Sequence, residues 1–175
     1  MMELALIARK AIEKYFENEK YMPNSEDRKK YYEKKACFIT LTINNTLRGC
    51  IGSLIASKPL WQDVVDNAIN AAFNDYRFPP LKKEELGQVK IEVSILSEPA
   101  QIKYKNHTEL LNKIKKNYGI ILERNGKSST FLPQVWEQIK DKRKFLEELS
   151  LKAGLEQSAW KKAKIYYYTV KAEKE

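Results

Sequence analysis

Leu4, Ile7, Ala8, Ala11, Ile12, Tyr15 and Phe16 recur at steps of three and four residues, the period of one helix face, so the chain is predicted to open with an amphipathic helix laid on a core. Residues 18–35 break that rhythm: they are polar, interrupted by Pro23, and carry Arg28, Lys29, Lys30, Lys34 and Lys35, the pattern of a solvated linker or mobile loop. Residues 36–43 and 47–55 then read as two strands closed by a turn at Asn44-Asn45. Ser57 is the expected cap of a helix that holds Pro59 in its first turn and continues through Phe73. On it, Asp63, Asp66, Asn67, Asn70 and Asn74 share a polar face, and Leu60, Val64, Ala68, Ala71 and Ala72 define the buried one.

Beyond Phe78-Pro79-Pro80-Leu81, Val89, Ile91, Val93 and Ile95 alternate with Lys90, Glu92, Ser94 and Leu96, which predicts a half-buried strand. A short helix over 108–116 precedes a second hairpin, 118–124 and 127–132, joined by Asn125-Gly126, a pair favoured in type I′ turns. Pro133 opens a helix carrying Val135, Trp136 and Ile139. The next holds Phe145, Leu146, Leu149 and Leu151 and stops at Gly154, and residues 165–170 form a closing aromatic strand. Hairpins make antiparallel pairs, and few connections are long enough for helical crossovers. The fold class is therefore α+β: a mostly antiparallel mixed sheet with flanking helices. With 175 residues and no repeat or break in composition, the chain 1–175 is expected to be a single domain of at most two lobes.

Composition changes the picture only through charge. At 43% apolar and 31% charged, the chain is that of an ordinary globular protein, but its net charge of +9 raises nucleic acid, an anionic membrane or an acidic substrate as partners. The excess is local: residues 101–175 hold 17 basic against 9 acidic side chains, and residues 1–100 hold 15 against 14. Lys113, Lys115, Lys116, Lys140, Lys142, Arg143, Lys144, Lys161, Lys162 and Lys164 fall there mainly on helices and turns, near Tyr166, Tyr167 and Tyr168. No recognition-helix, RRM-type or zinc-finger signature accompanies them, so a nucleic-acid-binding module is not the favoured reading. No apolar run spans a bilayer and the N-terminal residues lack the apolar stretch of a signal peptide, so no membrane association is expected and the cytoplasm is the expected compartment. Cys37 and Cys50 flank the first hairpin. With a two-residue loop Cys50 faces Ile39 and Cys37 is only a diagonal neighbour; with a three-residue loop the cysteines face opposite ways. Neither register suits a disulfide, which fits a reducing compartment.

Candidate chemistry concentrates in three segments. In Leu47-Arg48-Gly49-Cys50-Ile51-Gly52-Ser53, simple alternation puts Arg48, Cys50 and Gly52 on one face. Gly49 and Gly52 mark either a bulge or a place where a ligand approaches the backbone, and Cys50 is either a reactive thiol beside a guanidinium or a small packed side chain. In the segment from Asn74 to Leu81, Pro79-Pro80 fixes the directions of Asp75 and Arg77, which pair with each other or face a ligand. In the segment from Ser128 to Glu137, a strand passing into a helix through Pro133 offers hydroxyls, including Thr130, and the amide of Gln134 to an anion, or simply caps the helix. The single histidine, His107, is the one available base for a Cys50 dyad, and the cysteines and histidine lack the spacing of a metal site. No cofactor is indicated.

These segments in this order, with Ile91-Glu92-Val93-Ser94-Ile95-Leu96-Ser97, Gly119-Ile120-Ile121-Leu122, Thr130-Phe131-Leu132-Pro133-Gln134-Val135-Trp136-Glu137-Gln138 and Lys152-Ala153-Gly154-Leu155, resemble the AMMECR family, closest to its prokaryotic branch, and span nearly the whole chain. The resemblance implies an α+β protein of a larger and a smaller lobe, with the glycine-cysteine hairpin near the cleft between them. It implies no established activity. Prokaryotic members are often encoded beside a Memo-like protein and a radical SAM protein, which makes those two the implied partners of a small-molecule-binding or enzyme-like cleft protein with Cys50 as candidate catalytic group. The alternatives are a non-catalytic adaptor or an RNA/DNA-binding module. Where some relatives carry a His before the glycine of the Gly119 strand and a Cys before Lys-Ala-Gly, this chain has Tyr118 and Ser150.

Overall fold

The computed structural model describes residues 3–174. In chain order the elements are α1 (Leu4–Phe16), α2 (Ser25–Lys30), β1 (Cys37–Ile43), β2 (Thr46–Gly52), α3 (Leu60–Phe73), β3 (Lys90–Leu96), β4 (Ala100–Gln101), α4 (His107–Lys113), β5 (Gly119–Arg124), β6 (Lys127–Phe131), α5 (Lys142–Lys152), β7 (Lys164–Tyr168) and β8 (Val170–Lys174), with short 3-10 turns at Lys83–Glu85, Pro133–Glu137 and Gln157–Lys162. The fold is α+β. The described residues form two compact units, 3–96 with 171–174, and 97–170.

In the first unit the sheet order is β2-β1-β3-β8, and β1 pairs antiparallel with both β2 and β3. The period-two pattern of β1 turns Cys37, Ile39 and Leu41 inward, where they meet Leu4, Ile7, Ala8, Ala11 and Ile12 of α1 and Val64, Ala68 and Ala71 of α3. Both helices thus lie on one face of the sheet. In the second unit the order is β4-β7-β5-β6, and Ile120, Leu122 and Ile165 pack against Leu110, Trp136, Phe145, Leu149 and Trp160. Trp136 and Phe145 stack with ring centroids 3.6 Å apart.

Several expectations shift. The strands divide into two four-stranded sheets instead of gathering in one, and the closing run breaks at Thr169, with β7 in one sheet and β8 in the other. The stretch expected to be a solvated linker contains α2: Asn24 accepts from the Asp27 N–H at 2.9 Å, capping the helix, and Asp27 itself is fully buried. Pro59, not Ser57, sits at the N-cap of α3, with no side-chain cap. Pro133 opens only a five-residue 3-10 turn. On α3, Asp63 and Asn67 turn inward from the expected polar face. Asp63 accepts from the Cys37 N–H at 2.9 Å and the Ser53 hydroxyl at 2.7 Å, and Asn67 donates to Ser53 Oγ at 3.1 Å, so these two side chains tie the base of the hairpin to the helix.

Candidate functional site

The first hairpin turns through two residues, Asn44 and Asn45, both left-handed with φ of 51° and 61°, so Ile43 pairs with Thr46 and Thr42 with Leu47. The register then slips and Leu41 faces Gly49, leaving Arg48 as the extra residue of a β-bulge. The slip places Cys50 opposite Thr40 and not Ile39, and interrupts the alternation that would have grouped Arg48 with Cys50 and Gly52. Gly49 and Gly52 serve packing. A Cβ on Gly49 would collide with the carbonyl oxygen of Ala71, so the missing side chain lets α3 lie directly on β2, and a Cβ on Gly52 would collide with Phe38.

β2 is an edge strand, and the backbone of Cys50 points outward along that edge. The Cys50 N–H donates to Asp75 Oδ2 at 2.9 Å, and Arg77 Nη2 donates to the Cys50 carbonyl at 3.1 Å. Asp75 and Arg77 also bind each other through two bonds, 2.9 and 2.7 Å. Together they occupy the donor and acceptor that a neighbouring strand would have used. The guanidinium holds the Asp75 carboxyl down at about 2, and the carboxylate in turn raises Arg77. Arg48 is employed elsewhere: it makes a two-pronged pair with Glu85 at 2.8 and 2.9 Å and donates to the Pro79 and Pro80 carbonyls, which pins the Pro-Pro segment to the bulge. The guanidinium at Cys50 is therefore that of Arg77.

The two cysteines diverge and form no disulfide. Cys37 is fully buried beside Asp63, and burial, reinforced by that carboxylate, pushes its thiol well above the ordinary range. Cys50 is half-buried on the opposite face of the sheet, its Sγ 3.4 Å from Thr40 Oγ1. Thr40 lies across from Glu92 in the β1–β3 pairing, Glu92 accepts from Ser94 Oγ at 3.2 Å, and Lys174 Nζ reaches Glu92 at 2.9 Å. A polar row of thiol, hydroxyl, carboxylate and ammonium thus crosses this face. Thr40 and Glu92 are not sequence candidates: Glu92 falls on the alternating strand of 89–96 and Thr40 within the strand of 36–43, but their juxtaposition needed the register.

The remaining candidates lie in the second unit. Thr130 donates its hydroxyl to the Ile120 carbonyl at 2.9 Å and shares a 2.9 Å hydrogen bond with the Tyr168 hydroxyl, while Ser129 donates to the Leu149 carbonyl at 2.6 Å, so these hydroxyls face the protein. Gln134 is exposed on the 3-10 turn. His107 is the first residue of α4, with Nε2 3.0 Å from the Lys161 carbonyl oxygen and its ring edge-on to Trp160. Tyr118 stacks on Tyr167, and Ser150 bridges the Leu146 carbonyl and the Trp160 N–H. Of the lysines, Lys113 and Lys142 donate to backbone carbonyls, and Lys115 and Lys161 lie over aromatic rings. No helix among the described residues is long and apolar enough to cross a membrane, and no group of three metal-binding side chains occurs among them.

Comparison with known proteins places this geometry in a family. A protein of Nanoarchaeum equitans is 43% identical over 170 residues, covering 95% of this chain and 94% of that protein. A protein of Methanopyrus kandleri is 39% identical, covering 90% of this chain and 78% of its own length, and one of Aquifex aeolicus is 35% identical, covering 95% and 88%. The crystal structure of the uncharacterised protein PH0010 from Pyrococcus horikoshii superposes with a TM-score of 0.91 at 35% identity, over 98% of this chain and 89% of that one. Residues 5–173 match the AMMECR1 family, and the chain belongs to it.

Proposed function

We propose that this protein is an enzyme-like, small-molecule-binding protein whose reactive group is the Cys50 thiol, working beside Memo-like and radical SAM partners. The observation that carries the reading is the contrast between its two cysteines: Cys37 is sealed in the core, whereas Cys50 is half-buried in a polar setting, with its backbone pinned by Asp75 and Arg77 and its sulfur beside the Thr40 hydroxyl. A nucleophile needs both access and a fixed position. An occluded, apolar Cys50 would have favoured a docking adaptor.

Brief exposure of the native protein to limiting iodoacetamide, followed by peptide mass spectrometry, tests this directly. Cys50 is expected to be labelled early and Cys37 only on unfolding. If Cys50 reacts no faster than Cys37, or if Cys50→Ser supports full cellular function, thiol chemistry at this position is excluded. Co-purification from cells tests the partners.

A further inference from the structure

We propose that the helix-free face of the first sheet holds a binding groove for a small anionic metabolite, a carboxylate or a phosphate, immediately beside Cys50. The groove has a volume of about 370 Å³ and is lined by Thr40, Thr42, Asn45, Lys90, Ile91, Glu92 and Lys174. That volume lies at the small end of metabolite pockets.

The state of its polar groups gives the ligand chemistry. Glu92 is already satisfied by Lys174 and Ser94, and Thr40 is engaged with Cys50. The side chains of Thr42, Asn45 and Lys90 make no hydrogen bond or ion pair among the described residues. A hydroxyl, a carboxamide and an ammonium thus line one cavity with their donors uncommitted, and they are the donor set that an oxyanion requires. Two lysines against one glutamate leave the groove with a single excess positive charge. A cationic ligand would meet Lys90 without a counter-charge, whereas an anion neutralises it. Thr40 is shared between the groove wall and the Cys50 contact, so one residue links the groove to the sulfur. The binding claim stands on the groove alone; the link to the thiol rests on the function proposed above.

The test uses the full chain, labelled for amide NMR, titrated separately with succinate and with inorganic phosphate, with glycerol as a neutral control. Saturable shifts are expected at Thr40, Thr42, Asn45 and Lys90 with a dissociation constant of about 1 mM, weakened about tenfold in Lys90→Gln and similarly in Thr42→Val. Saturation by succinate alone assigns a carboxylate ligand, and by phosphate alone a phosphate ester. Shifts that do not saturate with either anion, or that persist unchanged in both variants, overturn the groove. The iodoacetamide rate of Cys50, measured with and without the bound anion, separates the two claims. If Cys50 is inert but the anion binds, the thiol chemistry falls and the groove stands. If Cys50 reacts at a rate no anion alters and the amides do not move, the groove falls and the thiol chemistry stands.

Discussion

Replacing Asp75 with Asn keeps the shape of the side chain and removes the charge that holds the β2 edge. In the wild type the carboxylate accepts from the Cys50 N–H, from two nitrogens of Arg77 and from the Arg77 backbone N–H. An amide can accept with one oxygen only and turns its NH2 toward a guanidinium. The magnitude follows from the titration. Asp75 titrates at about 2 when folded against 3.8 ordinarily, and each unit is worth about 1.4 kcal/mol, so ionisation contributes about 2 kcal/mol at neutral pH. The Asp75 side chain is only 1% exposed, but its partner Arg77 is 44% exposed, so solvent screens part of the pair and Arg77 keeps part of its hydration when orphaned. The loss therefore falls below the 3–5 kcal/mol typical of a fully buried broken pair, at about 2–3 kcal/mol. Because the folded pKa is depressed, this stability is present above about pH 4 and disappears as the pH falls through about 2. Urea unfolding followed by circular dichroism, repeated from neutral pH into acid, gives both quantities as the difference between wild type and Asp75→Asn. A variant within about 0.5 kcal/mol of wild type at neutral pH, or a difference that does not shrink on acidification, would refute the clamp.

Two further substitutions probe the packing that positions the site. Gly49→Ala forces a methyl onto the Ala71 carbonyl, where neither backbone has a flexible end to yield, so a loss of about 3 kcal/mol is expected in the same urea assay, and a near-neutral result would mean that α3 does not rest on β2 as described. Tyr168→Phe removes the hydroxyl shared with Thr130 at a cost of about 1–2 kcal/mol. Burial raises that tyrosine to about 12, so the wild type, and not the variant, should lose an additional 2–3 kcal/mol or so as the pH climbs from about 10 to 12; a phenolate absorbance titration that places Tyr168 near its ordinary value contradicts this.

Local pattern revealed the elements because helices and hairpins are written in periods and turn residues. The spacing from Leu4 to Phe16 predicted α1, and both hairpin turns fall where Asn44-Asn45 and Asn125-Gly126 permit left-handed backbone. What stayed hidden is whatever depends on pairing between distant segments. The slip at Arg48 moves Cys50 from Ile39 to Thr40, and within 37–52 only Gly49 and Gly52 hint at a bulge, neither fixing its place, because the neighbour that requires Gly49 is Ala71 on another element. Likewise, Asp63 and Asn67 look like members of a solvated face until the hairpin base presents the Cys37 N–H and the Ser53 hydroxyl to them.

The Arg48–Gly52 and Asp75–Arg77 segments looked in sequence like two separate candidates for a ligand, and in the first unit they are halves of one construction. Gly49 lets α3 settle on β2 at Ala71; α3 ends at Phe73, and the next two turns of chain bring Asp75 and Arg77 onto the edge at Cys50 while Arg48 reaches back to Pro79, Pro80 and Glu85. Each polar group of these motifs that might have received a ligand is thereby committed to the fold. The backbone of Cys50 belongs to the clamp, but its sulfur meets Thr40, a residue that also lines the groove with the uncommitted donors of Thr42, Asn45 and Lys90. Motifs that draw attention by their glycines and charges thus serve to hold one side chain still, and the groups left to bind a ligand are ordinary strand and turn residues with no motif of their own.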